Sequence, residues 1–299
     1  MTYNSLSQDT EIELINLLVP HLENKNFIDI GAEKGVFALT LLAHEMNGIL
    51  FEPMPKHRIT LQKIVDQYPS TILHSCAITN TDSIQQFNIA TDDNGNELDF
   101  YHSLQKANAP GVFSHSKSFE VDCRSIQSLI ATGEILTSLG VLKTDTEGND
   151  LNVLRGLGAL RPELVICEYF SKDLYDGWPE GGPEPIIEHM QNLGYSTFLA
   201  TKRVDGLEFI TVNSPLFSKK QWGNLFFFRP DFFKNVESII ANFVNDNEEY
   251  LIGKFNRIQL ELEEKESVIQ DLLLERRAAI TQNSVEKGLL PSFFRLLKK

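Results

Sequence analysis

The run Asn26-Phe-Ile-Asp-Ile-Gly-Ala-Glu-Lys-Gly35 begins as a short apolar strand, turns on glycine, and passes into a helical pattern through Val36, Leu39, Leu42 and Ala43. Gly48-Ile-Leu-Phe-Glu52 reads as a second strand, from which Pro53 and Pro55 lead into a helix carrying Ile59, Ile64 and Val65. Working outward from this pair, further strands are expected over 72–78, 119–123, 140–144, 164–169, 196–200 and 224–228. Helices alternate with them over 125–130, 150–157 and 184–193, after a packing helix over 11–22. This rhythm predicts an α/β fold, a doubly wound and mostly parallel sheet with an antiparallel member at one edge. The polar stretch 90–118 is expected to form a hairpin and a mobile loop, of the kind that lids a catalytic face.

Composition narrows the function. Lys and Arg total 27 against 41 Asp and Glu, a net charge of −14, which is the wrong sign for holding a phosphate backbone, so nucleic-acid binding is set aside. Cys76, Cys123 and Cys167 lie far apart without metal-ligand spacing, which predicts reduced core thiols. The polar start has neither the basic nor the apolar part of a secretory signal, and no apolar run is long enough to span a membrane. These features predict a soluble, cytoplasmic protein.

The first glycine turn stands where an open α/β sheet binds its ligand, at the carboxyl end of a strand and beside a helix N-terminus. Gly31 is expected to let backbone approach a bulky ligand, and Gly35 to let the helix start pack tightly on the sheet. Asp29 brings a carboxylate to the turn, a poor neighbour for a diphosphate and a good one for a cation. Neither the dinucleotide fingerprint G-x-G-x-x-G nor the phosphate loop G-x-x-x-x-G-K-[ST] is present. That weighs against a dinucleotide-dependent oxidoreductase. Glu52 ends the second strand, where an acidic side chain accepts hydrogen bonds from ribose hydroxyls in this architecture.

A third block is Val141-Leu-Lys-Thr-Asp145-Thr-Glu147-Gly148-Asn-Asp150, followed later by Val165-Ile-Cys-Glu168. With Asp29-Ile-Gly-Ala-x-x-Gly35 and Phe51-Glu-Pro53, it makes the chain resemble the FkbM family of S-adenosylmethionine-dependent methyltransferases over about residues 26–228. The family pattern is a strand ending in Lys-x-Asp-x-Glu-Gly-x-(Glu/Asp), and a later strand ending in Glu. Glu33-Lys34, Thr144 and Thr146 depart from its commoner residues. The resemblance implies a seven-stranded Rossmann-like methyltransferase sheet that binds S-adenosylmethionine and methylates a hydroxyl of a sugar, glycan or natural product.

On that reading Asp29, Gly31, Gly35 and Glu52 hold the cofactor. A hydroxyl acceptor must shed a proton, and Asp145 is the first candidate base, with Glu147 the second and His102 a further alternative. Clustered carboxylates raise at least one pKa toward a useful value, or hold a divalent cation, for which Asp145 and Glu168 are candidates. Glu147 has a rival role as an acidic cap at a helix start. His21, His44, His57, His74, His115 and His189 show no ligand spacing and receive no role.

The domain boundary is expected between 1–233 and 234–299. After about Asp231, Leu251, Phe255, Ile258, Leu262, Ile269 and Leu272 form a heptad-like seam, interrupted at Lys265 and Arg276, on a helix over about 236–279. Such a coiled-coil-like extension predicts a homodimer or docking of a partner, and leaves a degenerate methyltransferase scaffold as the alternative function.

Overall fold

The computed structural model describes residues 10–171, 174, 182–204, 207–214 and 221–286. Its strands are β1 (Asn26–Ile30), β2 (Asn47–Phe51), β3 (Ile72–His74), β4 (Ala77–Ile78), β5 (Ser83–Thr91), β6 (Asn108–Ala109), β7 (Phe113–Arg124), β8 (Val141–Thr144), β9 (Leu164–Phe170), β10 (Thr197–Val204), β11 (Leu207–Val212) and β12 (Trp222–Phe228). Its helices are α1 (Thr10–Leu18), α2 (Val36–Leu42), α3 (Pro55–Gln67), α4 (Ile126–Ala131), α5 (Asp150–Arg155), α6 (Glu184–Asn192) and α7 (Pro230–Glu286).

The main sheet has 8 strands in the order β11-β10-β12-β9-β8-β1-β2-β3. From β9 to β3 every pairing is parallel, and β12, β10 and β11 join antiparallel. The sheet is therefore mixed and eight-stranded, not the expected seven-stranded one. Its antiparallel character enters at β12, inside the sheet, and not only at an edge. β11, antiparallel to β10, is the strand of this sheet that the sequence reading did not foresee.

Alternation along the strands sends successive side chains to opposite faces, and both faces are covered. Phe226 and Phe228 pack with Leu14, Leu18, Leu41, Leu61 and Val236 on one face. Leu225 and Phe227 pack with Leu129, Leu154, Ile187 and Met190 on the other. The sheet is doubly wound, as the strand and helix rhythm predicts.

The expected strand over 72–78 breaks in two, because β3 closes the edge of the main sheet while β4 crosses to a second sheet of order β4-β7-β5, with β6 beside β7. The strand expected over 119–123 is the end of β7 and belongs to that second sheet. The stretch read as a hairpin and mobile loop is built into it: Asn88 and Ser103 exchange backbone hydrogen bonds of 2.8 and 3.1 Å, and Leu98 N–H donates to Ala90 at 3.0 Å.

The chain divides into two units, Met1–Asn247 and Glu248–Lys299. Phe232, Val236, Ile240 and Phe243 of α7 are buried in the core of the first, which moves the boundary beyond the expected 233. Within the second unit Leu262 and Ile269 of the expected seam are exposed, as are Leu260 and Val268. The side chains of Leu251, Phe255, Ile258, Leu272 and Arg276 lie outside the described residues, as does the tail over 287–299. No described helix is long and apolar enough to cross a membrane.

Candidate active site

A cavity of about 550 Å³ opens at the carboxyl ends of β1, β2, β8 and β9, a size suited to a cofactor-sized ligand. Gly31, Glu33, Phe51, Glu52, His57, Tyr101, His102, Lys143, Asp145, Glu147 and Glu168 are among its lining residues. The structure thus brings most of the expected residues together. Asp29 and Gly35 do not line it.

Gly31 has φ +73°, and a Cβ there would collide with the carbonyl oxygen of Asp145. The glycine is needed chiefly for two strand-end loops to pass each other, since Gly31 N–H donates to Phe51 O at 3.0 Å while Asp145 N–H donates to Ile30 O at 3.0 Å. Gly35 has φ +80° and stands at the start of α2, where a Cβ would collide with Ile64 of α3. Its role is helix-on-helix packing, not the helix-on-sheet contact expected.

Asp29 is fully buried, and it is not a free carboxylate waiting for a cation. The register sets it opposite Lys143 on the neighbouring strand, and the Lys143 ammonium lies 3.3 Å from both Asp29 Oδ1 and Asp145 Oδ2. Burial raises the Asp29 pKa against the opposing pull of Lys143. For Lys143, burial favours the neutral amine, but Asp145 and Asp29 outweigh it and raise the pKa, so the ammonium persists. Lys143, to which the sequence reading gave no role, joins the two carboxylates. Its signal was the alternation Lys143-Thr-Asp145, which puts both charges on one face of β8.

Glu52 is buried at the end of β2 with both oxygens engaged: Oε1 accepts Met54 N–H at 2.7 Å and Oε2 accepts Glu33 N–H at 2.8 Å. Each oxygen retains a further lone pair toward the cavity wall it helps form.

At the other end the acidic block separates into different tasks. Asp150, the first residue of α5, ties down the loop before it, accepting from Thr144 Oγ1 at 2.7 Å and from Thr146 N–H at 3.1 Å; burial, then Asp145, raises its pKa to about 6. Glu147 has φ +54°, and this left-handed turn sends its side chain to the N–H of Tyr101 at 3.1 Å instead of to its own helix. Burial, then the charge of Asp145, pushes its pKa up to about 8, and its Oε2 is buried without a partner. Glu168 is raised well above the usual carboxylate range by burial first and then by Asp145, Glu147 and Asp150. Asp145 is the most exposed member, one third open, with Lys143 beside it.

His102 does not have the base's geometry. Its Nδ1 accepts the Ala90 N–H at 3.1 Å, so the ring proton sits on Nε2 and no basic nitrogen is free. Burial, then Lys56 and His57, lowers its pKa to about 4. Among the described residues no group of three or more His, Cys, Asp or Glu side chains has the arrangement to hold a metal ion.

A doubly wound sheet with a cavity at its switch point is the arrangement in which open α/β proteins bind their ligands. The sequence matches the Methyltransferase FkbM domain over residues 29–197, more than half of the chain, and the protein belongs to the FkbM methyltransferase family. No curated protein matches it significantly. Similar solved structures include precorrin-6y C5,15-methyltransferase from Geobacter metallireducens GS-15, at 8% identity over 77% of this chain and 93% of that one, with a TM-score of 0.38. The bifunctional kinase-methyltransferase WbdD is 12% identical, with 74% of this chain and 39% of that one covered and a TM-score of 0.42. SMU.1697c from Streptococcus mutans, in complex with SAH, is 10% identical over 73% and 97%, with a TM-score of 0.38. Likenesses this distant bear on neither substrate nor chemistry.

Proposed function

We propose that the protein is an S-adenosylmethionine-dependent O-methyltransferase acting on a hydroxyl of a sugar, glycan or natural product. The observation that carries this reading is the division of one cavity into two chemical ends. Glu52 stands at one, where a ribose would sit, and Asp145 with Glu147 and Glu168 at the other. The buried oxygens left over on Glu147 and Glu168 call for partners that a bound ligand supplies.

S-Adenosylmethionine, when bound, supplies a methyl group on a sulfonium. Gly31 and Glu52 would hold it, with Asp29 acting indirectly through Lys143 and Gly35 through the packing of α2. Asp145 is the base: its carboxylate lies 3.3 Å from the Lys143 ammonium, and its exposure leaves it open to an acceptor hydroxyl. Glu147 and Glu168, held toward the neutral acid, donate hydrogen bonds that orient acceptor oxygens. Orientation supplies much of the rate in such a displacement.

The test is titration calorimetry with S-adenosylmethionine and SAH, followed by transfer of a tritiated methyl group to a panel of sugars, glycans and hydroxylated natural products. Binding with transfer to a hydroxyl is expected. Binding without transfer to any of them favours the scaffold function, and NAD binding in place of SAH favours the oxidoreductase.

The unit Glu248–Lys299 presents Ile252, Leu260, Leu262, Val268, Ile269 and Leu273 exposed on α7, and on this reading a second copy of the chain covers them. Light scattering on the full chain and on a chain ending at Asn247 tests it. A dimer lost on truncation is expected, and a monomeric mass for both overturns self-association.

A further inference from the structure

The wall of the cavity at the β2 end holds two histidines to which the proposed chemistry gives no work. His57 of α3 and His102 are both buried, their rings are 5.8 Å apart at a tilt of 48°, and both line the cavity. The Nε2 of each is shut off from solvent and has no hydrogen-bond partner. Buried polar atoms are almost always paired, so two orphans in adjoining side chains of one cavity wall point to a ligand that completes them.

Their chemistry narrows the ligand. His102 is a neutral donor, because the Ala90 amide occupies Nδ1 and leaves the proton on Nε2. His57 stands against Glu52, with Nδ1 3.9 Å from Oε2. The nearby lysine, Lys56, is engaged by Glu97 at 3.0 Å and Asp99 at 3.1 Å, so it is not a free cation for a phosphate or carboxylate. Phe51, Pro53, Ala77 and Ile78 supply apolar lining to the same cavity. An uncharged, flat ligand portion with apolar faces and polar edge atoms fits this wall. A nucleoside is such a group.

We propose that His57 and His102 form a hydrogen-bonding wall for a purine nucleoside, engaging through their Nε2 atoms the adenosine half of the methyl donor beside Glu52. This rests on the reading of the donor as S-adenosylmethionine. His102 donates its Nε2 proton to an acceptor atom of the nucleoside, and His57 supplies a second polar nitrogen from the adjoining helix.

The experiment is calorimetric titration of the full chain with SAH, using wild type, His57→Phe, His102→Phe and His102→Gln, with apo melting temperatures as a folding control. Each phenylalanine variant is expected to bind SAH about tenfold more weakly or worse, the loss of one ligand hydrogen bond. Glutamine, whose amide nitrogen falls near the Nε2 position, should recover most of the loss at position 102. In parallel, the ¹⁵N spectrum of histidine-labelled wild type should show both Nε2 resonances moving when SAH is added, a readout that does not depend on any variant folding. SAH binding with unmoved Nε2 resonances, or with equal affinity in wild type and folded phenylalanine variants, overturns the proposal. Failure of the wild type to bind SAH at all overturns the donor reading itself, and with it this one.

Discussion

At the β2 end of the cavity Glu52 commits both oxygens to the amides of Glu33 and Met54, whereas at the β8 and β9 end Glu147 and Glu168 each keep a buried oxygen without a partner. The residue type is the same and the supply of donors differs. Two turn amides let Glu52 be buried as a hydrogen-bonded carboxylate. Glu147 has only the Tyr101 amide, and the negative field of Asp145 favours its proton. Asp145 itself is set apart by Lys143, which it shares with Asp29. One end therefore pairs its buried carboxyl with two amides, and the other leaves buried carboxyl oxygens unpaired beside the Lys143–Asp145 ion pair.

The sharpest way to break this division is Asp145→Asn. Loss of a general base should lower methyl transfer by roughly 10²–10⁴-fold while SAH affinity stays within about threefold of wild type. Initial rates with tritiated donor and calorimetry on the same protein decide it. Parallel losses in both would mean that the two ends do not act separately.

Lys143→Met leaves the buried carboxylate of Asp29 without its cation and should cost about 3–5 kcal/mol in urea unfolding. Adding Asp29→Asn should recover part of that loss. If the double variant is no more stable than the single, the ion pair is not what Lys143 contributes.

Glu52→Ala should weaken SAH binding by about 1.5–3 kcal/mol, in contrast to Asp145→Asn, because it removes charge-assisted acceptors at the β2 end. Unchanged affinity by calorimetry would take Glu52 out of the cofactor site.

A smaller effect comes from pH. The Glu147 pKa stands raised from 4.5 to about 8 in the folded protein, so between those values the native state binds more protons than the unfolded chain. That contribution to stability is full below about pH 4.5 and is lost as pH rises through 8. Glu147→Gln removes it, so the variant should gain on wild type in melting temperature from pH 5 to pH 9, by a few degrees. A melting difference that does not change with pH would show Glu147 to be well solvated.

Much of the site is legible in the sequence because strand ends and glycine turns are local features. Gly31, Glu52, Asp145 and Glu147 all reach the cavity wall from positions readable as the ends of apolar runs. His57 is not legible in this way. It lies within a helix, and its partner His102 comes from a distant loop that the second sheet carries back to the cavity. Lys143 is half legible: its alternation with Asp145 is written in β8, but its pairing with Asp29 depends on the register between two strands far apart in the chain. Glu147 was open to a capping role because acidic residues suit helix starts, but the left-handed turn at Glu147 and Gly148 aims its side chain at the Tyr101 amide, and α5 has no side-chain cap.

The amino-acid sequence by itself determined the strand and helix alternation of the parallel part of the main sheet, the family, and which side chains stand at its strand ends, because periodicity, glycine and proline act over a few residues. It did not determine β11 or how far the antiparallel part reaches into the sheet, the second sheet that delivers His102, or the state of each ionisable group. Those were decided by tertiary structure. A carboxyl or imidazole takes its charge from burial and from the groups around it in space, and for Asp29, Lys143, Glu147 and Glu168 those neighbours arrive from separate strands that only the folded sheet brings together.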